Sequence, residues 1–490
     1  MTNILWLDTE TFNDTIDLQT GGTYRYAETC EVMLVPYALD DGPVKLWDRT
    51  VDEDWPQELL NALANENAKV VAHHAMFDRP VVTHGLRMQT SIERWHCTMT
   101  QAYCHGLPGG LDVLGSILGL GADHAKIKDG KRLVQKFCKL APKNHKVDRY
   151  DRHNAPEDWE KFCEYAKRDV AAMREVYYKL PDWNYRGREL DLFHLDQRIN
   201  DRGFFVDKEL TAAAVASRDV EKNYLASRCQ ELTNGQVLRP TMREELKRFL
   251  NEEFGYLLTD TKAETFNQLM ASADPVAREL MQISIASNKN STAKYAALQE
   301  ATSEDGRFRG GLQFAGASRT RRWAGRKFQG QNLPSRGIPP AESIEAYIDA
   351  LKAGCHEFLF DDLMLYMSAA LRGAVVAPEG KKLVVSDLSN IEGRVNAWLA
   401  GETWKLEAFE AFDRGEGPDL YNVTASQIIG GSPYEVSKKD RNTFGKVPDL
   451  ACLAAGTSVV TNTGLRNIED VRADDLLWDG YAWVAHKGLI

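Results

Sequence analysis

An apolar run at residues 4–7, Ile-Leu-Trp-Leu, ends in Asp8-Thr9-Glu10, and two later stretches each deliver one more acid. The run reads as a strand. Alternate strand positions project to one face, so Asp8 and Glu10 point the same way. Residues 32–39 and 44–48 read as two further strands, and the next, within residues 69–78, delivers Asp78 at its end. From Glu157, apolar residues at Trp159, Phe162, Ala166, Met173 and Tyr177 have helical spacing. On that helix Tyr165 and Asp169 are four residues apart and share a face. Clustered carboxylates are expensive unless a cation neutralises them, which implies two divalent metals at Asp8, Glu10, Asp78 and Asp169. Two such cations clamp the attacking hydroxide and the leaving oxygen of a phosphodiester, and Tyr165 is placed to orient the water. A lone Asp-x-Glu is common by chance; the ordered set of four acids carries the constraint. His73 and His74 can equally be structural.

At 490 residues the chain exceeds one ordinary core, and roughly two to four domains are expected. A formal net charge of −11 argues against nucleic-acid binding over the whole surface and leaves room for a local basic groove. The eight cysteines include no Cys-x-x-Cys pair and no zinc spacing, which implies reduced thiols in a cytoplasm-like compartment. No signal peptide stands out, and no apolar run reaches the roughly 18 residues of a membrane span, so no membrane partner is expected.

Further along, residues 187–300 read as charged amphipathic helices broken at Pro240 and Pro275, which a plain helical scaffold would also explain. Residues 286–336 concentrate ten Lys and Arg, Arg321, Arg322 and Arg326 among them, against Glu300, Glu304 and Asp305. A solvated loop is the usual reading of such a run. Interleaving with Phe314, Trp323 and Phe328 favours phosphate contacts. The apolar run Leu383-Val384-Val385 suits a buried strand and delivers Asp387, followed by Glu392 and Arg394. A helix-capping Asp is the bland alternative for Asp387. Residues 437–451 read as a helix in which Pro448 is tolerable only in a first turn or at a kink. From Cys452 the pattern changes to short β-like runs with turns at Asn462-Thr463-Gly464 and Asp479-Gly480.

Three resemblances organise these features. Asp8-Thr9-Glu10, His74-Ala-Met-Phe-Asp78 and Tyr165-x-x-x-Asp169 resemble the three motifs of the DEDDy 3′–5′ exonucleases, on an RNase H-like fold. The second motif usually begins with Asn, and His74 stands there instead. Residues 387–394 resemble motif A of the family A, bacterial polymerase I-like DNA polymerases: Asp387, Ser389, Ile391, Glu392 and Arg394 all fall in place. That resemblance implies that Asp387 holds the catalytic metals of the palm and Glu392 is the steric gate against a 2′-hydroxyl. Residues 316–336 resemble the element that reaches primer and template. It gives Arg322 a primer-strand contact, and Gln331 and Asn332 a minor-groove role. The family usually has Gly where Arg321 stands. Residues 437–451 resemble the start of motif B, with Lys446 and Arg441 on the nucleotide triphosphate. The Arg-to-Lys spacing is one longer than usual. Residues 452–490 resemble the amino-terminal block of a Hint-fold intein whose first residue is Cys452. There the thiol attacks the Ala451 carbonyl and forms a thioester.

The expected architecture is α/β, with four parts. These are an exonuclease domain (1–183), a DNA-binding thumb and outer palm (184–372), palm motif A with the start of the fingers (373–451), and an intein fragment (452–490). The expected function is the amino-terminal part of a phage-like DNA polymerase with proofreading, made whole by splicing to a carboxyl-terminal half that carries the C-intein. Polymerase activity is not expected from this chain alone. The expected cofactor is Mg2+, with Mn2+ as the substitute. DNA and, once complete, dNTPs are the expected partners, in the host cytoplasm. A stand-alone 3′–5′ exonuclease and a non-catalytic DNA-binding protein are the competing readings.

Overall fold

The computed structural model describes residues 3–120, 130–317, 320–335, 337–451, 458–467, 470–472, 474–478 and 483–485. Cys452, Arg319, Arg336 and the turn at 479–480 lie outside them. The chain divides into two compact units, 1–383 and 384–490.

The first unit opens with β1 (Ile4–Leu7), β2 (Glu10–Phe12), α1 (Leu18–Ala27), β3 (Glu31–Leu39), β4 (Lys45–Asp48), α2 (Gln57–Ala64) and β5 (Lys69–Ala72). Then come α3 (Ala75–Pro80), β6 (Trp95–Cys97), α4 (Thr98–Cys104), α5 (Leu111–Ile117), α6 (Gly130–Phe137) and α7 (Pro156–Lys179). The six strands form one mixed sheet of order β2-β3-β1-β5-β6, with β4 on the other side of β3. Along β3 the pairs Leu7↔Tyr37 and Glu10↔Leu34 keep one register, so β1 and β2 are one strand interrupted at Asp8 and Thr9. The interruption faces Pro36, which has no N–H to give; only the Asp8 N–H to Pro36 O bond, 3.2 Å, forms there. Because the register is kept as far as Glu10, Trp6, Asp8 and Glu10 share a face, as alternation requires; a one-residue shift against β3 follows between Glu10 and Thr11.

That face meets α7. Trp6 packs with Val170 and Met173, and Phe12 with Trp159, Phe162 and Tyr165. α7 begins with Pro156 at its first position and Glu157 and Asp158 in its first turn, a favourable start. Fully buried Phe137 and Phe162 each contribute about 1.5–3 kcal/mol relative to exposure. The opposite face, with Leu5 and Leu7, is covered by Leu59 and Leu63 of α2 and Ala75 of α3.

The unit continues with α8 (Arg188–Arg202), β7 (Phe204–Val206), α9 (Lys208–Leu232), α10 (Arg243–Phe254), α11 (Ala263–Met270), α12 (Pro275–Ser287) and α13 (Ala293–Ala301). Next are β8 (Arg307–Phe308), β9 (Leu312–Gln313), β10 (Ala324–Gly325), α14 (Ala341–Lys352), α15 (Leu363–Ala369) and β11 (Val375–Val376). These helices enclose a second core around Leu210, Tyr295 and Tyr347. β7 is the central strand of a sheet ordered β11-β7-β8. Gly203 permits this: its φ is +55°, and a Cβ there would stand 2.1 Å from the Phe308 carbonyl oxygen.

The two parts of the first unit are joined through α8. Arg79, next to Asp78, sends its guanidinium to both Asp201 oxygens at 2.5 and 2.9 Å and to Tyr24 Oη at 3.0 Å. Asp196 accepts from Trp323 Nε1 at 2.7 Å, and Asn200 bonds the Leu312 backbone in both directions at 3.0 Å.

The second unit holds α16 (Ile391–Ala400), α17 (Thr403–Asp413), α18 (Leu420–Ile429), α19 (Lys438–Asp440), a π-helical stretch Arg441–Lys446, and α20 (Val447–Ala451). Pro448 falls in the first turn of α20, directly after the widened π turns, where a missing N–H costs least. Four strands, β12 (Ser458–Thr461), β13 (Gly464–Asn467), β14 (Leu476–Trp478) and β15 (Trp483–Ala485), make an antiparallel sheet of order β13-β12-β14-β15. A β-rich unit was expected there. The strand expected at residues 383–385 does not form: Val384 is 83% exposed and Val385 90%. No described strand pairs with this stretch. A strand without a hydrogen-bonding neighbour has nothing to hold its backbone extended.

Candidate active site

The break between β1 and β2, the first turn of α3 and the middle of α7 bring Asp8, Glu10, Asp78, Asp169 and Tyr165 together. Burial raises the Asp8 carboxyl well above its ordinary value, and the charges of Asp78, Glu10 and Asp169 add to the rise. Asp78 is 1% exposed, and burial pushes it to about 7 against the pull of the Thr9 hydroxyl. Thr9 Oγ1 donates to Asp78 Oδ1 at 2.8 Å, and the buried Oδ2 has no hydrogen-bond partner. The Tyr165 phenol hydrogen-bonds Asp169; burial and then Asp169 raise its ionisation far above the ordinary range, so it stays a neutral donor. Cys138 Sγ donates to Glu10 Oε2 at 3.6 Å. Beside Glu10 opens a cavity of about 440 Å³ walled by Thr9, Phe77, Tyr26, Val134, Cys138 and Lys139, among others. Among the described residues, no three His, Cys, Asp or Glu side chains are already gathered around a single cation-sized point.

Asp78 comes from a helix and not, as expected, from the end of a strand: β5 stops at Ala72. The reason lies in His73. Its Nε2 donates to the Gly109 carbonyl at 2.7 Å and its Nδ1 meets Thr98 Oγ1 at 2.8 Å, turning the chain out of the strand. His73 is therefore structural. His74 lies exposed and stacks on Phe77 with centroids 6.3 Å apart.

The remaining candidates lie elsewhere. Arg322, Gln331 and Asn332 are exposed on the basic segment. Arg321, standing where Gly was expected, has φ +55°, in the left-handed region. Its guanidinium holds Asn184 Oδ1 at 3.0 Å and Glu189 Oε2 at 2.8 Å. In the second unit Asp387, Glu392 and Lys446 are exposed. Arg441 pairs with Asp419 through one Nη at 2.7 Å and lies over the Tyr421 ring. Arg394 clasps Asp413 with two bonds of 2.7 Å. Sequence reasoning missed Thr9 and Cys138. A hydroxyl between two acids was a visible signal for Thr9; Cys138 had none.

Three comparisons bear on this site. Residues 5–182 match a family model described as 3′–5′ exonuclease. A DNA polymerase of Bacillus phage SP02 is 34% identical over 459 residues, covering 91% of this chain and 68% of that protein. DNA polymerase I of Aquifex aeolicus is 35% identical over 71 residues, 14% of this chain and 12% of that one. The POL domain of Pol1 from M. smegmatis, solved with DNA primer-template and dNTP, superposes with a TM-score of 0.54 at 15% identity. That match covers 91% of this chain and 67% of the solved one.

Proposed function

Given that the chain belongs to the family A DNA polymerases that carry a 3′–5′ exonuclease domain, we propose that Asp8, Glu10, Asp78 and Asp169 hold two divalent cations, Mg2+ in the cell, and remove nucleotides from a DNA 3′ end. The donor set fits: four carboxylates are hard oxygen ligands, and Asp78 Oδ2 is buried with no other partner. When bound, the cations would neutralise the carboxylates and make hydroxide available at neutral pH. The chain's own residues do the rest. Thr9 holds Asp78 Oδ1, which leaves Oδ2 free to ligate. The neutral Tyr165 phenol, anchored on Asp169, orients the attacking water. The gathering of the four acids, with Glu10 and Asp78 buried, Asp8 and Asp169 half-buried, and the other three charges all acting on Asp8, carries the reading. It is tested by incubating 3′-extended, 5′-labelled single-stranded DNA with the chain and Mg2+. Stepwise shortening from the 3′ end, abolished by Asp8→Ala, is expected; shortening that survives Asp8→Ala would sink the assignment.

For the polymerase activity we assign Asp387 to metal binding, Glu392 to the sugar gate, Lys446 and Arg441 to the triphosphate, and Arg322, Gln331 and Asn332 to primer-template. The exposed, unpaired stretch around Asp387 favours the view that these residues act only when a carboxyl-terminal polymerase half covers them. We assign Cys452 to an N-to-S acyl shift, in which its thiol displaces the peptide nitrogen from the Ala451 carbonyl, leaving a thioester and a free amine. The sheet β12–β15 that follows suits an intein block. Co-expression with a C-intein fused to a carboxyl-terminal polymerase half should give a ligated polymerase, and Cys452→Ala should give none. Ligation by the Cys452→Ala chain would reject this role.

A further inference from the structure

α6 and the residue after it touch the acid cluster at two points. At its start, Gly130 lies against the Tyr165 ring: a Cβ there would stand 2.3 Å from Cε2 and 2.8 Å from Cδ2. At its end, Cys138 donates to Glu10 Oε2 at 3.6 Å. Between these points Leu133 and Phe137 are buried against Trp159 and Phe162 of α7. Arg132 and Lys136 reach Asp158 at 3.1 and 2.7 Å. α6 is thus fastened along the helix that carries Tyr165 and Asp169, while its tail wall faces the cavity beside Glu10.

We propose, resting on the exonuclease reading above, that α6 is a positioning strap for that site. The missing side chain of Gly130 leaves the volume that the Tyr165 ring fills, and so lets the phenol reach Asp169. The Cys138 thiol fixes the orientation of the Glu10 carboxylate. Neither residue touches the reacting atoms; each acts through its neighbour. A merely structural role for the pair would change melting temperature and leave the chemistry's dependence on Tyr165 and on metal untouched.

The test uses the full chain, 3′ degradation of single-stranded DNA, isothermal titration of Mg2+, and thermal melting as the check of fold. Gly130→Ala should lower kcat roughly tenfold with little change in KM, since a displacement of about 1 Å can cost as much as 100-fold. In a Tyr165→Phe background the same substitution should cost nothing further. Cys138→Ala should weaken Mg2+ binding in isothermal titration roughly tenfold, as loss of a group that orients a ligand does. Cys138→Ser keeps a donor and should restore it. An equal loss from Gly130→Ala in both backgrounds, or equal Mg2+ affinities for wild type and Cys138→Ala, would overturn the strap. Should Gly130→Ala fail to fold, the Cys138 pair decides alone. A wild-type chain inert toward DNA, or one whose activity survives Asp8→Ala, removes the exonuclease reading and the strap together. An active wild type silenced by Asp8→Ala, with both strap variants behaving like wild type, removes the strap only.

Discussion

Two carboxylate motifs sit on opposite kinds of support. Asp8 and Glu10 project from a strand paired along β3, with Leu5, Trp6 and Leu7 wholly buried around them. Asp387 follows a run of similar composition, Leu383-Val384-Val385, that lies largely in solvent. Local sequence is therefore not what pre-organises a carboxylate. The neighbouring strands and the helix laid across them do so, by fixing the backbone and by desolvating the charge. In the first unit that desolvation is visible as raised carboxyls at Asp8 and Asp78.

The contrast can be broken by substitution. The largest effect is expected at Arg79, whose buried guanidinium ties the helix of Asp78 to Asp201 on α8. Arg79→Ala leaves the Asp201 carboxylate without its cation, with only the Tyr24 hydroxyl still donating to it, and should cost about 3–5 kcal/mol in denaturant unfolding. A loss below about 1 kcal/mol would mean that α8 does not brace this site. Next, Leu7→Ala should cost about 2–5 kcal/mol by opening a cavity in the sheet core. Val385→Ala, on the exposed stretch, should stay within about 0.5 kcal/mol. Comparable losses at the two positions would erase the difference between the regions.

A smaller effect should come from pH. Asp196 is wholly buried, and burial lifts its carboxyl to about 7 despite donors from Trp323, Gln197 and Asn200. The folded state therefore holds this proton more tightly than the unfolded chain, where the ordinary value is 3.8. Between those two values the native state binds more protons, so this contribution to stability is full below about pH 4 and lost as pH rises to about 7. Asp196→Asn should flatten the slope between pH 5 and 7.5 in denaturant melts. An unchanged slope would place the titration elsewhere.

Much of the first site was legible because strand alternation and helical spacing are local rules. Asp8 and Glu10 share a face by period two, and Tyr165 and Asp169 by four-residue spacing. Asp78 was found from its motif and misplaced on a strand, because the hydrogen bonds of His73 to Thr98 and Gly109 span 25 and 36 residues. Cys138 lies 128 residues from Glu10, and no periodicity connects them. Residues 383–385 were misread because an apolar β-branched run specifies a strand only where a partner strand exists. Arg321 stands where Gly was expected and still has a positive φ, with its side chain held by Asn184 and Glu189, 137 and 132 residues away.

The four-acid cation site is tested most directly by isothermal titration of Mg2+ or Mn2+ into the wild-type chain and into Asp78→Asn, repeated in buffers of different ionisation enthalpy. With Asp78 lifted to about 7 and Asp8 raised above its ordinary value, cation binding should release protons near pH 7. Two-site uptake with proton release, weakened at least about tenfold by Asp78→Asn, is the expected result. Uptake that is absent, or identical in the two chains and independent of buffer, would contradict it.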